Sequence, residues 1–147
     1  MHSYTVALRI ESASLDTAQV TKELGLIPTQ TRFAGQYRSA KSVFEEALWE
    51  FDIAPGQLDV DPENWPHRPQ WKSLEKGLQK LLSVFSTHAQ HLQGYRREHN
   101  VYIWIGHFSS SFCGGPRLSA EILKSLGSFG VQIWIDTHIV EDQEVEN

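Results

Sequence analysis

"VYIWI", residues 101–105, decides how the rest of the chain is read. Val101, Ile103 and Ile105 alternate with Tyr102 and Trp104, the period of a strand that buries one face. It is the clearest strand of the chain. Its aliphatic side belongs to a core, and that leaves large aromatic rings on the other side.

Working outward toward the N-terminus, Trp71, Leu74, Leu78, Leu81, Leu82, Phe85 and Leu92 recur at helical spacing and predict one long amphipathic helix. "APGQLDVDPENWPHRP", residues 54–69, carries four prolines without periodicity and reads as a long surface connection. Before it, Ala47, Trp49, Phe51 and Ile53 share one face of a strand, with Leu48, Glu50 and Asp52 on the other. A short strand over residues 31–37 leads into it through a turn near Ser39–Lys41. Earlier still, Tyr4, Val6, Leu8 and Ile10 alternate with Thr5, Ala7, Arg9 and Glu11 in another strand. Ser14 is positioned to cap a helix marked by Thr17, Val20, Thr21 and Leu24. Gly25 supplies a left-handed stop to that helix, and Pro28 forbids continuation.

Toward the C-terminus, "SSSFCGGPR" is a loop, and Leu118, Ile122, Leu123 and Leu126 give a helix ending near Gly127. Val131, Ile133 and Ile135 then alternate with Trp134 and Asp136 in a last strand. The order β-α-β-β-α-β-α-β predicts an α+β fold: a ferredoxin-like split β-α-β core with an added C-terminal helix and strand. One mainly antiparallel sheet with helices on one face is the economical arrangement. Its core is expected from Val6, Leu8, Trp49, Phe51, Val101, Ile103, Ile133 and Ile135 against Leu78, Leu82 and Phe85. Residues 1–140 form the single domain in this reading, and 141–147 an acidic, frayed tail.

At 147 residues, with 40% hydrophobic and 21% charged, the chain has enough apolar material for a core without metal or disulfide. Cys113 is the lone cysteine, which suits a reducing compartment, and no window approaches a membrane span. A cytoplasmic protein without membrane attachment is the expectation. Acids outnumber bases 18 to 13, for a formal charge of −5. Such a surface repels phosphate backbones, so nucleic acid is not the expected partner.

Several stretches together resemble a known family. An alternating N-terminal strand is followed by a capped helix ending in "LGLIPT", then an arginine and "AG". The tryptophan strand "LWEFDI", a leucine-rich helix and "GGPRLSAEILKSLGSFGVQIWID" complete the pattern. In this arrangement the chain resembles the bacterial domain-of-unknown-function family 4279 over residues 4–139. The family ending has an aromatic residue soon after the aspartate. Here Thr137 and His138 follow Asp136, so no role for that aromatic carries over. The resemblance implies a small cytosolic bacterial α+β domain and no activity, and it leaves open a role as an immunity protein that neutralises a toxin.

Local motifs invite chemistry and mostly have simpler explanations. A phosphate-cradling loop needs a strand before its glycines and a helix after them, and "LGLIPT" has the reverse order. "CGGPRLSAE" has the correct order, but two glycines without a lysine are accounted for by loop flexibility and a helix start at Pro116 or Ser119. His88 and His91 lie three apart on a helix, yet the compact Cys/His pairs of zinc sites are absent. No metal or other cofactor is expected. Cys113 with His107 lacks a third orienting group, and no catalytic residue is assigned.

The outer sheet face is more informative. It is expected to carry Arg9, Glu50, Asp52, Tyr102, Trp104, Trp134, Asp136 and His138. Large rings interleaved with ionisable groups resemble an interface hot spot. Two structural alternatives compete: the proline-rich segment with Trp65 and Trp71 folding across the face, or a homodimer covering it. The leading expectation is a non-enzymatic domain that binds a protein, such as a basic toxin, through these residues. The alternative is a small-molecule-binding regulatory domain, with Arg32, Trp65 and Asp136 as candidate ligand contacts. An enzyme ranks last.

Overall fold

The structure, a computed structural model, describes residues 2–56 and 69–140. In chain order these form β1 (His2–Ser12), α1 (Thr17–Leu24), β2 (Gln30–Arg32), β3 (Tyr37–Ser39), β4 (Ser42–Val43), β5 (Ala47–Ile53), α2 (Leu74–Phe85), α3 (Ala89–Glu98), β6 (Asn100–Ser109), α4 (Ala120–Phe129) and β7 (Gln132–Ile139). Five strands make one sheet in the order β2-β5-β1-β6-β7, while β3 and β4 form a separate hairpin. Neighbours are antiparallel except β6 and β7, which run parallel. The architecture is α+β with a mainly antiparallel sheet, as the periodicity predicts.

Alternation along β1 explains which side faces the helices. Val6, Leu8 and Ile10 are fully buried and join Trp49, Val101, Ile103 and Ile105 in a core closed by Leu78, Leu81 and Phe85. Each large apolar side chain removed from water there contributes roughly 1.5–3 kcal/mol. Phe51 and Leu82 pack against this core while partly exposed. The buried indole of Trp49 donates from Nε1 to Thr21 Oγ1 of α1 at 3.1 Å, so its polar atom is satisfied.

Gly77 sets how closely α2 approaches the sheet, since a Cβ there would lie 2.9 Å from Val6 Cγ2. Trp71 sits beside it and exchanges backbone hydrogen bonds with Tyr4, both at 2.8 Å. Its Nε1 donates to the Ile53 carbonyl at 2.6 Å. Trp71 therefore belongs to the helical side and does not cross the outer face.

Four expectations need correction. The long helix predicted from Trp71 to Leu92 is two helices. After Phe85 the Ser86 hydroxyl donates to the Ser83 carbonyl at 2.9 Å, and the chain turns before His88 starts α3. Serine, threonine and histidine at 86–88 resist helix continuation weakly, and the bend lets Phe85 and Leu92 both reach the core. Asp16, not Ser14, caps α1, its Oδ1 accepting from Gln19 N at 3.1 Å. The segment read as one short strand over 31–37 is split between β2, paired with β5, and the β3–β4 hairpin. Ile133 and Ile135 point toward the helices but are 36% and 42% exposed, because β7 is the sheet edge and the helical layer does not extend over it.

"LGLIPT" ends one element and aligns the next. Gly25 has φ 64°, and its N–H donates to the Thr21 carbonyl at 2.9 Å. Thr29 then donates its N–H to the Glu50 carbonyl at 2.8 Å and accepts from Asp52 N at 2.9 Å on Oγ1, which starts β2 along β5.

Candidate functional site

Strand register arranges the outer face in cross-strand rows. One row is Gln30, Glu50, Arg9, Tyr102 and Gln132; the next is Asp52, Ala7, Trp104 and Trp134. Beyond them come Thr5, Gly106 and Asp136, then Ser3, Phe108 and His138. The register thus gathers onto one surface the eight residues expected there, and it sorts them into buried supports and accessible rings.

Arg9 is the centre of the supports. Its Nε donates to Glu50 Oε2 at 2.5 Å, and Glu50 is almost wholly buried. The same guanidinium lies 4.2 Å from the Trp104 ring centroid, a cation–π contact. Tyr102 donates its hydroxyl to Glu11 Oε2 at 2.7 Å, and only 3% of the residue is exposed. Burial first, and the Glu11 carboxylate second, push the Tyr102 phenol up to about 12. Tyr102, Glu50 and Asp52 are all buried, so the expectation that they present themselves directly to a partner is corrected. Their role is to fix what lies over and beside them.

The accessible part lies toward β7. Trp134 is 57% exposed, and its ring stands 5.8 Å from that of Tyr102. Trp104 and Phe108 are half-buried. Gly106 between them is a backbone floor: a Cβ there would meet Trp104 Cη2 at 2.8 Å and Thr5 Oγ1 at 2.4 Å. His138 stacks on Phe108 at 5.2 Å, and its Nε2 is 3.2 Å from Asp136 Oδ2. Phe108, Gly106 and Glu11 were missed by the sequence reading. All three fall on the same alternation as Trp104 or Arg9, so carrying the period two residues beyond Arg9 and four beyond Trp104 finds them.

At the opposite edge, Arg32 lines a polar cleft of about 310 Å³ with Glu11, Arg38, Val43, Phe44, Glu45 and Glu46. Its guanidinium sits 4.0 Å from the Phe44 centroid and 3.5 Å from Glu11 Oε1. Arg32 Nε is buried and has no hydrogen-bond partner among the described residues. The Glu46 carboxyl is raised above its ordinary range, chiefly by its hydrogen bond with Glu11 and then by burial. Arg32 on β2 and Asp136 on β7 are separated by the whole sheet, four strand spacings or roughly 19 Å. One small ligand does not bridge them, which corrects the set of contacts expected for a single pocket. Trp65, the remaining candidate of that set, lies outside the described residues, as does most of segment 54–71.

The other motifs are absorbed locally. Both ring nitrogens of buried His107 are engaged, by His2 Nδ1 at 2.9 Å and Thr137 Oγ1 at 3.2 Å, while Cys113 is exposed. Burial and the neighbouring His2 hold the His107 imidazole below its ordinary pKa. The start of α4 is filled from within the chain: Ser119 Oγ accepts from Ile122 N, and Ser119 N–H donates to the Glu75 carboxylate. His88 and His91 have ring centroids 6.4 Å apart. Among the described residues no group of three or more His, Cys, Asp or Glu side chains is placed to hold a metal ion, and no helix is long and apolar enough to cross a membrane.

No curated protein and no solved structure matches the chain. The model of one family, described as "Domain of unknown function (DUF4279)", does match, over residues 2–140. The strand, glycine stop and terminal "QIWID" that carry the resemblance all lie inside that match, and the chain belongs to the DUF4279 family.

Proposed function

We propose that this domain is a non-enzymatic protein-binding module that recognises a basic partner through the β6–β7 half of the outer sheet face. The observation that carries the reading is Trp134, 57% exposed on a sheet face beside half-buried Trp104 and Phe108. A rigid indole with a polar rim of Asp136 and His138 has the composition of a binding hot spot. The Arg9–Glu50 pair and the Gly106 floor hold the neighbouring ring in place, which reduces the ordering cost of association. A formal charge of −5 favours encounter with a basic protein. The specific form of this proposal is a bacterial cytoplasmic immunity protein whose partner is a toxin.

The test is binding between the purified domain and the products of genes adjacent to its own. A basic partner should bind, and Trp134→Ala should weaken that complex by about 2 kcal/mol or more. If no adjacent product binds, or if Trp134→Ala leaves the affinity unchanged, the reading is wrong. The cleft around Arg32 favours the second reading, a small-molecule-binding regulatory domain, because a buried guanidinium nitrogen there lacks a partner among the described residues. A ligand of that cleft would raise the melting temperature of the wild type and not of Arg32→Ala.

A further inference from the structure

β7 differs from every other long strand in the sheet. It is an edge eight residues long, and all of its residues except half-buried Asp136 are exposed. Apolar side chains emerge on both of its faces: Trp134 on the outer side, and Ile133 and Ile135 on the helical side. The strand contains no lysine, arginine or proline, the residues that ordinarily protect an edge from further pairing. The opposite edge, β2, is only three residues long.

α4 also leaves an apolar side chain open. Ile122 and Leu126 turn α4 onto the core, and Glu121, Ser125 and Ser128 line its groove against α2. At about 100° per residue, Leu123 falls on the flank away from α2. Leu123 is 52% exposed. Ile133, Ile135 and Leu123 are thus open apolar side chains on the helical side of the molecule.

We propose that this edge pairs with a second copy of the same chain: β7 adds antiparallel to its twin, giving a continuous ten-stranded sheet in which Ile133 and Ile135 of one copy cover those of the other. The strand's own sequence selects the register. A two-fold axis perpendicular to the sheet pairs only residues of the same face, so it must pass through a residue position. Centred on Trp134, it sets the two indoles opposite one another, Ile133 opposite Ile135, and Gln132 opposite Asp136. Ile133, Trp134 and Ile135 then meet apolar groups, and each Asp136 carboxylate meets an amide. Centred on Asp136, it would oppose two like charges, which is destabilising. This pairing goes beyond the binding reading: it joins two outer faces into one surface without covering either.

The oligomeric state of the full chain alone, measured by sedimentation or light scattering at micromolar concentration, tests the inference. The wild type is expected to be a dimer. Ile135→Lys, which alters an already exposed residue and leaves the outer face intact, is expected to be a monomer with unchanged circular dichroism. In a Cys113→Ser background, Trp134→Cys should form a disulfide-linked dimer on oxidation, because it lies on the axis, whereas Ile139→Cys should not. A monomeric wild type overturns the proposal. So does a dimer that survives Ile135→Lys, or one that cross-links equally well through position 139. Since no partner is present in these measurements, their failure is separate from failure of the toxin-binding reading.

Discussion

Arg9 links two environments that rarely share a side chain. On one side it neutralises a carboxylate that has almost no contact with water; on the other it lies over an indole on the outer sheet face. A buried ion pair of this kind adds little net stability over an apolar pair of the same size, but removing one partner strands the other. Arg9→Ala should therefore destabilise the fold by about 3 kcal/mol, a larger loss than the double variant Arg9→Ala/Glu50→Leu, as read from urea denaturation. If the single variant unfolds no more easily than the double, the pair is not what holds Glu50 in place. Trp104 should also become more mobile in the single variant, which its fluorescence anisotropy would report.

Elements in this chain are bounded by short-range devices of unequal visibility. Gly25→Ala should cost about 1 kcal/mol by calorimetry, since φ 64° is costly for any residue with a Cβ while nothing crowds that position sterically. That stop was legible because glycine followed by proline leaves few conformations open. The identities of β1, β5, β6 and β7 were legible for a similar reason, as period-two alternation has no helical equivalent. The break between α2 and α3 was not, because Leu74 to Leu92 keeps helical spacing and only tertiary demand makes Ser86 a terminus. Nor did alternation reveal that Ile133 and Ile135 would be left open. It identifies a face, whereas exposure depends on whether another element covers that face. The same distinction explains the candidate site: the eight outer residues were found together, but the split between buried Glu50, Asp52 and Tyr102 and exposed Trp134 arises from cross-strand neighbours the sequence does not pair.

For the molecule as a whole, stability is expected to fall toward both ends of the pH range, and one buried group at each end shows why. His107 is held below its ordinary pKa in the fold, so the unfolded chain takes up a proton there first. Its contribution is complete above the ordinary imidazole range and is lost as pH falls through that range toward the folded value. Tyr102 works in the other direction: with its phenol at about 12, the unfolded chain ionises first, and stability falls as pH rises past about 10. Urea midpoints measured across pH should show both limbs, with His107→Asn making the acid one shallower and Tyr102→Phe the alkaline one, to which Tyr4 and Tyr95, also raised by burial, contribute as well. Position within the sheet has a further consequence. Leu8 of β1 meets Phe51 on one side and Ile103 on the other, so the middle strand is satisfied only after distant stretches of chain have been brought to it. Such long-range pairing makes folding slow compared with a helical protein of this size. A chain severed between α3 and β6 would leave an apolar strand with one flank unzipped, and neither fragment is expected to keep structure by itself.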